Sequence, residues 1–338
     1  MKKIKDDDFP IDFVIPWVDG SDPEWIAEFN KYAPKEKRRE TDASEQRYRD
    51  YGLLRYWFRG VEKFAPWVRT VHFVTCGQKP DWLNLDASKL HWVKHSDYIP
   101  QEYLPVFSSH PIELMMHKIP GLAEQIVYFN DDLFLTSTVR KNFFFKNGLP
   151  RDSAVLNTFP PDFVSHICMN DLEIINRHFP KRKVMKSNTG KWWNLKYGLS
   201  LFRTICLMPW LEFTGIHVSH LPQAFLKSTL EEVWEQEASV LSETMKHKFR
   251  QLNDVNQWLF RFWALCKGEF TPRNPFNETK YFSFSDSCKK ICSAIRTSKY
   301  KEIVINDCGK NESEFDFYMQ EIARAFEFLL PEKSKFEL

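Results

Sequence analysis

Glycine is scarce in this chain. There are 11 in 338 residues, and no two lie closer than the eight positions separating Gly52 from Gly60 and Gly190 from Gly198. Neither GxGxxG nor a Walker A loop fits that spacing, because both need close glycines so that backbone N–H groups can cradle phosphates. P-loop NTPases and ordinary glycine-rich NAD sites are thereby excluded. An excess of one charge is also missing: 47 Lys+Arg stand against 45 Asp+Glu, for a net charge of +2. Bulk attraction to polyanions is ruled out, and with no recognition module in view no nucleic-acid partner is expected. Long hydrophobic runs are absent too. The longest nearly unbroken apolar stretches, 13–18 and 205–211, fall far short of the roughly 20 residues of a membrane helix. The first residues are basic, but Asp6, Asp7, Asp8, Pro10 and Asp12 interrupt the apolar centre a secretory leader requires. Seven scattered cysteines form neither a disulfide framework nor paired CxxC knuckles, which points to a reducing cytoplasm. Cys288 and Cys292, four apart, read as core thiols on one helical face.

What the chain does hold is apolar and aromatic bulk: 43% hydrophobic residues, with 30 Phe, 12 Trp and 11 Tyr. Most of these rings belong to a core, and some can stack on sugar or base faces. Residues 12–18 (DFVIPWV) read as a strand that stops at Asp19-Gly20-Ser21-Asp22-Pro23, a turn and N-cap signal before a helix over 23–32. Residues 35–46 read as a solvated loop. Apolar residues at three- and four-residue steps predict a helix over 47–64 that ends before Pro66. Strands follow at 71–75, 91–94 and 125–129, with a short helix at 112–117 between the last two. This alternation predicts an α/β fold, Rossmann-like, with a largely parallel sheet. After residue 142 the periodicity turns helical at 171–178, 229–246 and 254–265. A strand at 302–305, expected to join the first sheet, precedes a helix over 313–330. We therefore expect an α/β nucleotide-sugar-binding lobe from 1–141 with 300–338, and a mainly helical lobe from 142–299 that completes the site.

Three predicted strands end in acids: Asp19 after the first, Asn130-Asp131-Asp132 after QIVYF, and Asn306-Asp307 after EIVI. Ligands of open α/β sheets bind outside the carboxyl ends of strands, so these acids can converge on one crevice. Asp131 and Asp132 match short acidic motifs that hold Mg²⁺ or Mn²⁺ on a diphosphate, since hard oxygen donors suit those cations. One such turn can be a plain strand end; three in one sheet shift the balance. His217 and His220 sit three apart, but Val218 and Pro222 make the segment extended, so a zinc pair is not expected. His220 suits a general base, and Arg250 suits a two-point phosphate clamp. Lys246, His247 and Lys248 form a basic patch or a solvated face.

The segments IDFVIPWVDGSDPEW, RYRDYGLLRYWFRGVEKFAPWVRTVHFVTCGQKPDWLN, LPVFSSHPIELMMHKIPGLAEQIVYFNDDLFL, HLPQAFLKSTLEEVWEQE with FRQLNDVNQWLFRFW, and the closing INDCGKNESEFDFYMQEIARAFEFLL together resemble the four blocks of the Stealth family. These are capsular and exopolysaccharide phosphotransferases, and the family includes the catalytic subunit of the lysosomal-enzyme GlcNAc-1-phosphotransferase. The resemblance implies transfer of an N-acetylhexosamine-1-phosphate from a UDP-sugar donor to an oligosaccharide or polysaccharide hydroxyl, releasing UMP. It implies a catalytic set of Asn130, Asp132, His220 and Arg250, and a metal at Asp131 and Asp132. Trp17, Asp19, Gly20, Arg49 and Asp307 would bind substrate, and Asp19 and Asp307 rival His220 as the base. The long insertions, Cys-rich modules and membrane anchors of the eukaryotic members are missing, so a compact bacterial enzyme is expected. It would be cytoplasmic, and peripheral attachment to the inner membrane face rests on the resemblance alone. The residues themselves leave two alternatives: a metal-dependent glycosyltransferase that releases UDP, and a non-catalytic carbohydrate-binding protein.

Overall fold

The computed structural model describes residues 9–34, 41–42, 48–306 and 312–338. In chain order the elements used below are β1 (Ile11–Pro16), α1 (Pro23–Tyr32), α2 (Leu54–Phe64), β2 (Val71–Thr75), β3 (Leu90–Lys94), α3 (Ser109–Leu114), β4 (Gln125–Tyr128), β5 (Leu133–Leu135) and α4 (Phe163–His178). They continue with α5 (Lys181–Ser187), α6 (Leu201–Leu207), β6 (Gln223–Leu226), α7 (Lys227–Met245), α8 (Trp258–Lys267), β7 (Thr279–Ser283), α9 (Cys288–Arg296), β8 (Glu302–Asn306) and α10 (Glu312–Leu329). The main sheet runs β3-β2-β1-β4-β6, parallel except for β6, which pairs antiparallel to β4. This is a mixed α/β, Rossmann-like sheet.

The pleat divides the sheet's side chains between two cores. Ile11, Phe13 and Ile15 of β1, Val71 and Phe73 of β2 and Val127 of β4 face one way. Val14, Val74, Ile126 and Tyr128 face the other, because successive strand side chains point to opposite faces. The first face is covered by α2, α9 and α10, with residues such as Trp57, Phe58, Ile295 and Phe326. The second is covered by α4, α7 and α8 through Leu172, Leu230, Leu259 and Phe260. The helical middle of the chain is thus the second layer over this sheet, and it donates the edge strand β6.

The last strand departs from expectation. The strand at 302–306 does not join the main sheet: β8 lies parallel to β7 and antiparallel to β5 in a separate three-stranded sheet. A short apolar run announces a strand without naming its partner, and here β5, immediately after the Asn130-Asp131-Asp132 turn, supplies the ladder. The helix expected over 47–64 begins only at Leu54, while α4 begins earlier than its periodicity suggests, where the Asp162 carboxylate accepts from the Ser165 N–H. Within the expected loop, Thr41–Asp42 pairs antiparallel with Arg250–Gln251; residues 35–40 and 43–47 lie outside the described residues. Cys288 and Cys292 lie 3.8 Å apart on α9, with Cys292 buried and its thiol pushed up to about 12 by that burial.

Candidate active site

Sheet order reverses direction beside β1, with β2 on one side and β4 on the other. The strand ends there leave a crevice between diverging connections. A cleft of about 600 Å³ opens at this point, lined by Trp17 and Val18 after β1, Cys76 after β2, His95 after β3, and Asn130, Asp131 and Asp132 after β4. Arg49, His110, Glu113, His220, Arg250, Gln257, Tyr281 and Asn306 complete its walls.

The acidic turn is braced from below. Asn130 O accepts from the Leu133 N–H at 3.2 Å, and Asp132 O accepts from Ile305 N–H of β8 at 3.0 Å. The last residue of β8, Asn306, then donates from Nδ2 to Asp132 Oδ2 at 3.3 Å. His220 Nε2 lies 3.0 and 3.2 Å from the two oxygens of the buried Asp132 carboxylate. Burial alone would lower the His220 imidazole, but Asp132, by charge and by hydrogen bond, raises it above its ordinary value. Asp131 is the contrast. Burial, and then the charges of Asp132 and Asp50, push its carboxyl up to about 7. No ion pair to Asp131 forms among the described residues.

Among the described residues no three His, Cys, Asp or Glu side chains converge as a metal cage. The donor chemistry nevertheless fits Mg²⁺, which is commonly held by one or two carboxylates together with substrate phosphates and water. Two adjacent carboxylates, one with a strongly raised pKa, form a site that a divalent cation relieves of like-charge repulsion.

The opposite wall is built around Asp254. Its carboxylate oxygens lie 2.7 Å from His110 Nδ1 and 2.7 Å from His247 Nδ1, and accept from Gln251 N–H at 3.0 Å. Burial would raise Asp254, yet the two histidines hold it below the ordinary carboxylate value. Asn170 of α4 donates from Nδ2 to the carbonyls of Leu252 and Asp254, at 2.7 and 2.8 Å. This fixes the loop carrying Arg250, whose Nη2 donates to Ser109 Oγ at 2.9 Å. The basic run beside it is therefore structural. Lys246 pairs with Glu243, His247 holds Asp254, and Lys248 donates to the carbonyls of Leu104 and Pro105. At the start of α8, Gln257 lines the cleft, and its buried Oε1 has no hydrogen-bond partner among the described residues, which suits it to accept from a ligand.

Of the residues singled out from sequence, Trp17, Arg49, Asn130, Asp131, Asp132, His220 and Arg250 line this cleft. Trp17 Nε1 donates to Asp50 at 3.1 Å, and the Arg49 guanidinium lies 4.5 Å from the centre of the Phe315 ring. Asp19 and Gly20 are not part of the lining. Asp19 closes a turn by accepting from Ser21 N–H at 2.9 Å and Ser21 Oγ at 2.6 Å. Gly20 donates its N–H to Tyr48 O at 2.9 Å, and a Cβ there would stand 2.4 Å from that oxygen, so only glycine permits the approach. Asp307 lies outside the described residues. His217 is not in the cleft, and its imidazole is lowered to about 4 by burial and by Arg261. Sequence reasoning missed Asp50, His110, Glu113 and Asp254. Only Asp254 had a local signal, the polar NDVNQ run that starts an apolar helix.

The sequence profile described as Stealth protein CR1, conserved region 1, matches residues 9–37, and that of CR2, conserved region 2, matches residues 47–152. Over 329 residues the chain is 40% identical to the capsular polysaccharide phosphotransferase WcwK of Streptococcus pneumoniae, covering 97% of this chain and 98% of that protein. It is 41% identical over 332 residues to the exopolysaccharide phosphotransferase cps2G of Lactiplantibacillus plantarum, covering 97% and 96%. It is 39% identical over 333 residues to the receptor polysaccharide phosphotransferase WefC of Streptococcus gordonii, covering 97% and 99%. Similarity at this level along nearly the whole of each protein extends well past the two profiled regions, and the chain belongs to the Stealth family.

Proposed function

We propose that this protein is a phosphotransferase of polysaccharide synthesis that moves a hexose-1-phosphate, an N-acetylhexosamine-1-phosphate, from a UDP-sugar to a hydroxyl of a growing capsular or exopolysaccharide chain. The observation that carries this reading is one strand-end cleft holding Asp131, which has no ion pair among the described residues, an Asp132–His220 pair and Arg250. The names of the relatives, all polysaccharide phosphotransferases, support the same reading.

In the proposed reaction the acceptor oxygen bonds to the sugar-bearing phosphorus. The bond from that phosphorus to the oxygen bridging the two phosphates breaks, and UMP leaves with the electron pair. Asp132 holds His220 with its Nε2–H directed at the carboxylate, which leaves Nδ1 to take the acceptor proton. Arg250, fixed by Ser109 and the Asp254 loop, meets the charge spread over the phosphoryl oxygens. Asn130 and Asn306 position the acidic turn. Asp131, with the remaining lone pairs of Asp132, would hold Mg²⁺ or Mn²⁺, which supplies charge neutralisation on the diphosphate when bound. Trp17 and Arg49 bind the donor from the cleft wall. Asp19 and Gly20 contribute by shaping the loop above it, and Asp307 would add a donor contact. The setting is the cytoplasmic face of the membrane.

Product analysis tests the reading. The purified protein is incubated with Mg²⁺, a panel of UDP-hexosamines and a capsular-type oligosaccharide, and the released nucleotide is identified. UMP with a new phosphodiester is expected. UDP would mean attack at the anomeric carbon, the reaction of an ordinary glycosyltransferase.

A further inference from the structure

One surface stands apart from the rest of the molecule. Leu195, Leu199, Phe202, Ile205, Trp210 and Leu211 are 89%, 95%, 68%, 55%, 54% and 72% exposed. They come from a single stretch, the turn before α6, α6 itself and the turn after it. No other short segment of the described residues presents so many large apolar side chains to solvent. Single exposed apolar residues are ordinary, but a contiguous set of this size marks an interaction site.

The charge around it says what kind of partner fits. Between residues 181 and 211 there are seven bases, Lys181, Arg182, Lys183, Lys186, Lys191, Lys196 and Arg203, and no acid. In a chain whose overall charge is nearly balanced, that asymmetry is local. Lys181, Lys191 and Lys196 are tied into the fold by the carbonyls of Leu207, Gly268 and Pro272, and Arg203 Nη1 lies 3.4 Å from Asn157 Oδ1. Arg182, Lys183, Lys186, Lys196 and Arg203 are exposed, and none of them forms an ion pair among the described residues. The Lys181–Leu207 bond sets the start of the basic helix α5 against the end of α6, so the two features adjoin.

We infer that residues 181–211 form a docking surface for an anionic lipid bilayer. The apolar residues of the α6 segment would enter the headgroup boundary, and Arg182, Lys183 and Lys186 of α5, with Arg203, would face acidic headgroups. Exposed aromatic and leucyl side chains ringed by lysine and arginine are the pattern of in-plane membrane association, and Trp210 suits the interface itself. No helix among the described residues is long and apolar enough to cross a membrane, so the attachment is peripheral. The surface is also mechanically close to the cleft. Thr204 Oγ1 of α6 accepts from the Leu156 N–H at 3.1 Å, and the adjoining Val155 O accepts from His217 N–H at 2.8 Å, three residues before His220. Docking would hold the cleft beside an acceptor growing at the membrane. Only this last consequence rests on the proposed function; the surface itself does not.

Flotation of the full-length protein with vesicles tests it, using phosphatidylcholine alone and phosphatidylcholine with about one-third phosphatidylglycerol. The variants are Phe202→Ser with Leu211→Ser, and Arg182→Glu with Lys183→Glu and Lys186→Glu. All lie outside the cleft, and their melting temperatures are read alongside. The expected result is recovery with the anionic vesicles only, reduced at least about tenfold in both variants, with nucleotide release on a soluble acceptor unchanged. Failure of the wild type to float with anionic vesicles overturns the inference, as does undiminished flotation of both variants. A wild-type dimer that the Phe202/Leu211 variant converts to monomer would assign the face to a second copy and overturn it equally. Flotation without UMP release would sink the proposed reaction and leave this surface standing; UMP release without flotation would do the reverse.

Discussion

At the amino end of the central sheet Asp12 is fully buried in β1, and at the carboxyl end Asp131 sits in the cleft. The first is surrounded by partners. Arg69 Nε donates to Asp12 Oδ1 at 2.7 Å, His72 Nε2 lies 2.9 Å from Oδ2, and Ala123 N–H donates to Oδ2 at 2.8 Å. Burial would raise its carboxyl, but Arg69, His72 and Ala123 hold it below the ordinary value. Asp131, desolvated and beside the like charges of Asp132 and Asp50, gains less from the neighbouring His220 than it loses, and is pushed up to about 7. A buried carboxylate whose lone pairs and charge are met inside the chain has a structural job. One left with a raised pKa at a sheet's switch point marks a candidate ligand site. His220 follows the same logic: its Nε2 pairs with Asp132, which also accepts from Asn306, and its Nδ1 is the atom proposed to take the acceptor proton.

That contrast can be broken by substitution. The largest effect is expected from His220→Ala and Asp132→Ala, which lower the rate of UMP formation by about 10²–10⁴-fold with a melting temperature near that of the wild type. Near-normal turnover of a folded His220→Ala protein would remove His220 as the base. Asp12→Ala should do the opposite. It strands His72 and the Ala123 N–H and costs roughly 2–4 kcal/mol of stability, somewhat below a fully buried pair because Arg69 is half-exposed. Activity per folded molecule should hold, as chemical denaturation and active-site titration together would show.

Asp254 lies between these extremes, since it positions Arg250 without lining the cleft. Asp254→Asn is expected to lower kcat/KM by about tenfold to a hundredfold through a displaced phosphate-facing arginine. Combined with Arg250→Ala it should add little, and full additivity in the double-mutant cycle would refute a shared role.

The smallest effect is a pH-dependent one. Because the folded Asp131 value, about 7, lies above the ordinary 3.8, the native state keeps a proton that the unfolded chain has already released. Stability therefore falls as pH rises between those values, and the loss is complete above the upper one. With EDTA present, Asp131→Asn should raise stability on the order of 1–2 kcal/mol at pH 8 and leave it nearly unchanged at pH 4. Asp12 has the reverse sign, contributing above the ordinary carboxylate value and losing that contribution as pH falls through its lowered one. Thermal melts at the two pH values separate the cases.

The sheet was readable because its strands are short, β-branched runs ending in polar turns, and the cleft followed from where those turns fall. Asp131, Asp132, His220 and Arg250 could be singled out by residue type and local setting. The partner of β8 could not, because EIVI carries no mark of whether LFL or a main-sheet strand will pair with it. Nor could the Asp254 hub, whose His110 ligand is 144 positions away in sequence. The stretch 205–211 is a nearly unbroken apolar run in sequence, and only the fold reveals that its Ile205, Trp210 and Leu211, with Phe202 just before it, face outward.

The central claim is that the Asp131–Asp132 pair is completed by a cation and a diphosphate together. Calorimetric titration of UDP-N-acetylglucosamine tests it most directly, with and without Mg²⁺, into the wild type, Asp131→Asn and Asp12→Asn. The account predicts binding that requires Mg²⁺, disappears in Asp131→Asn and persists in folded Asp12→Asn. Equal binding without Mg²⁺ in the wild type and Asp131→Asn would contradict it.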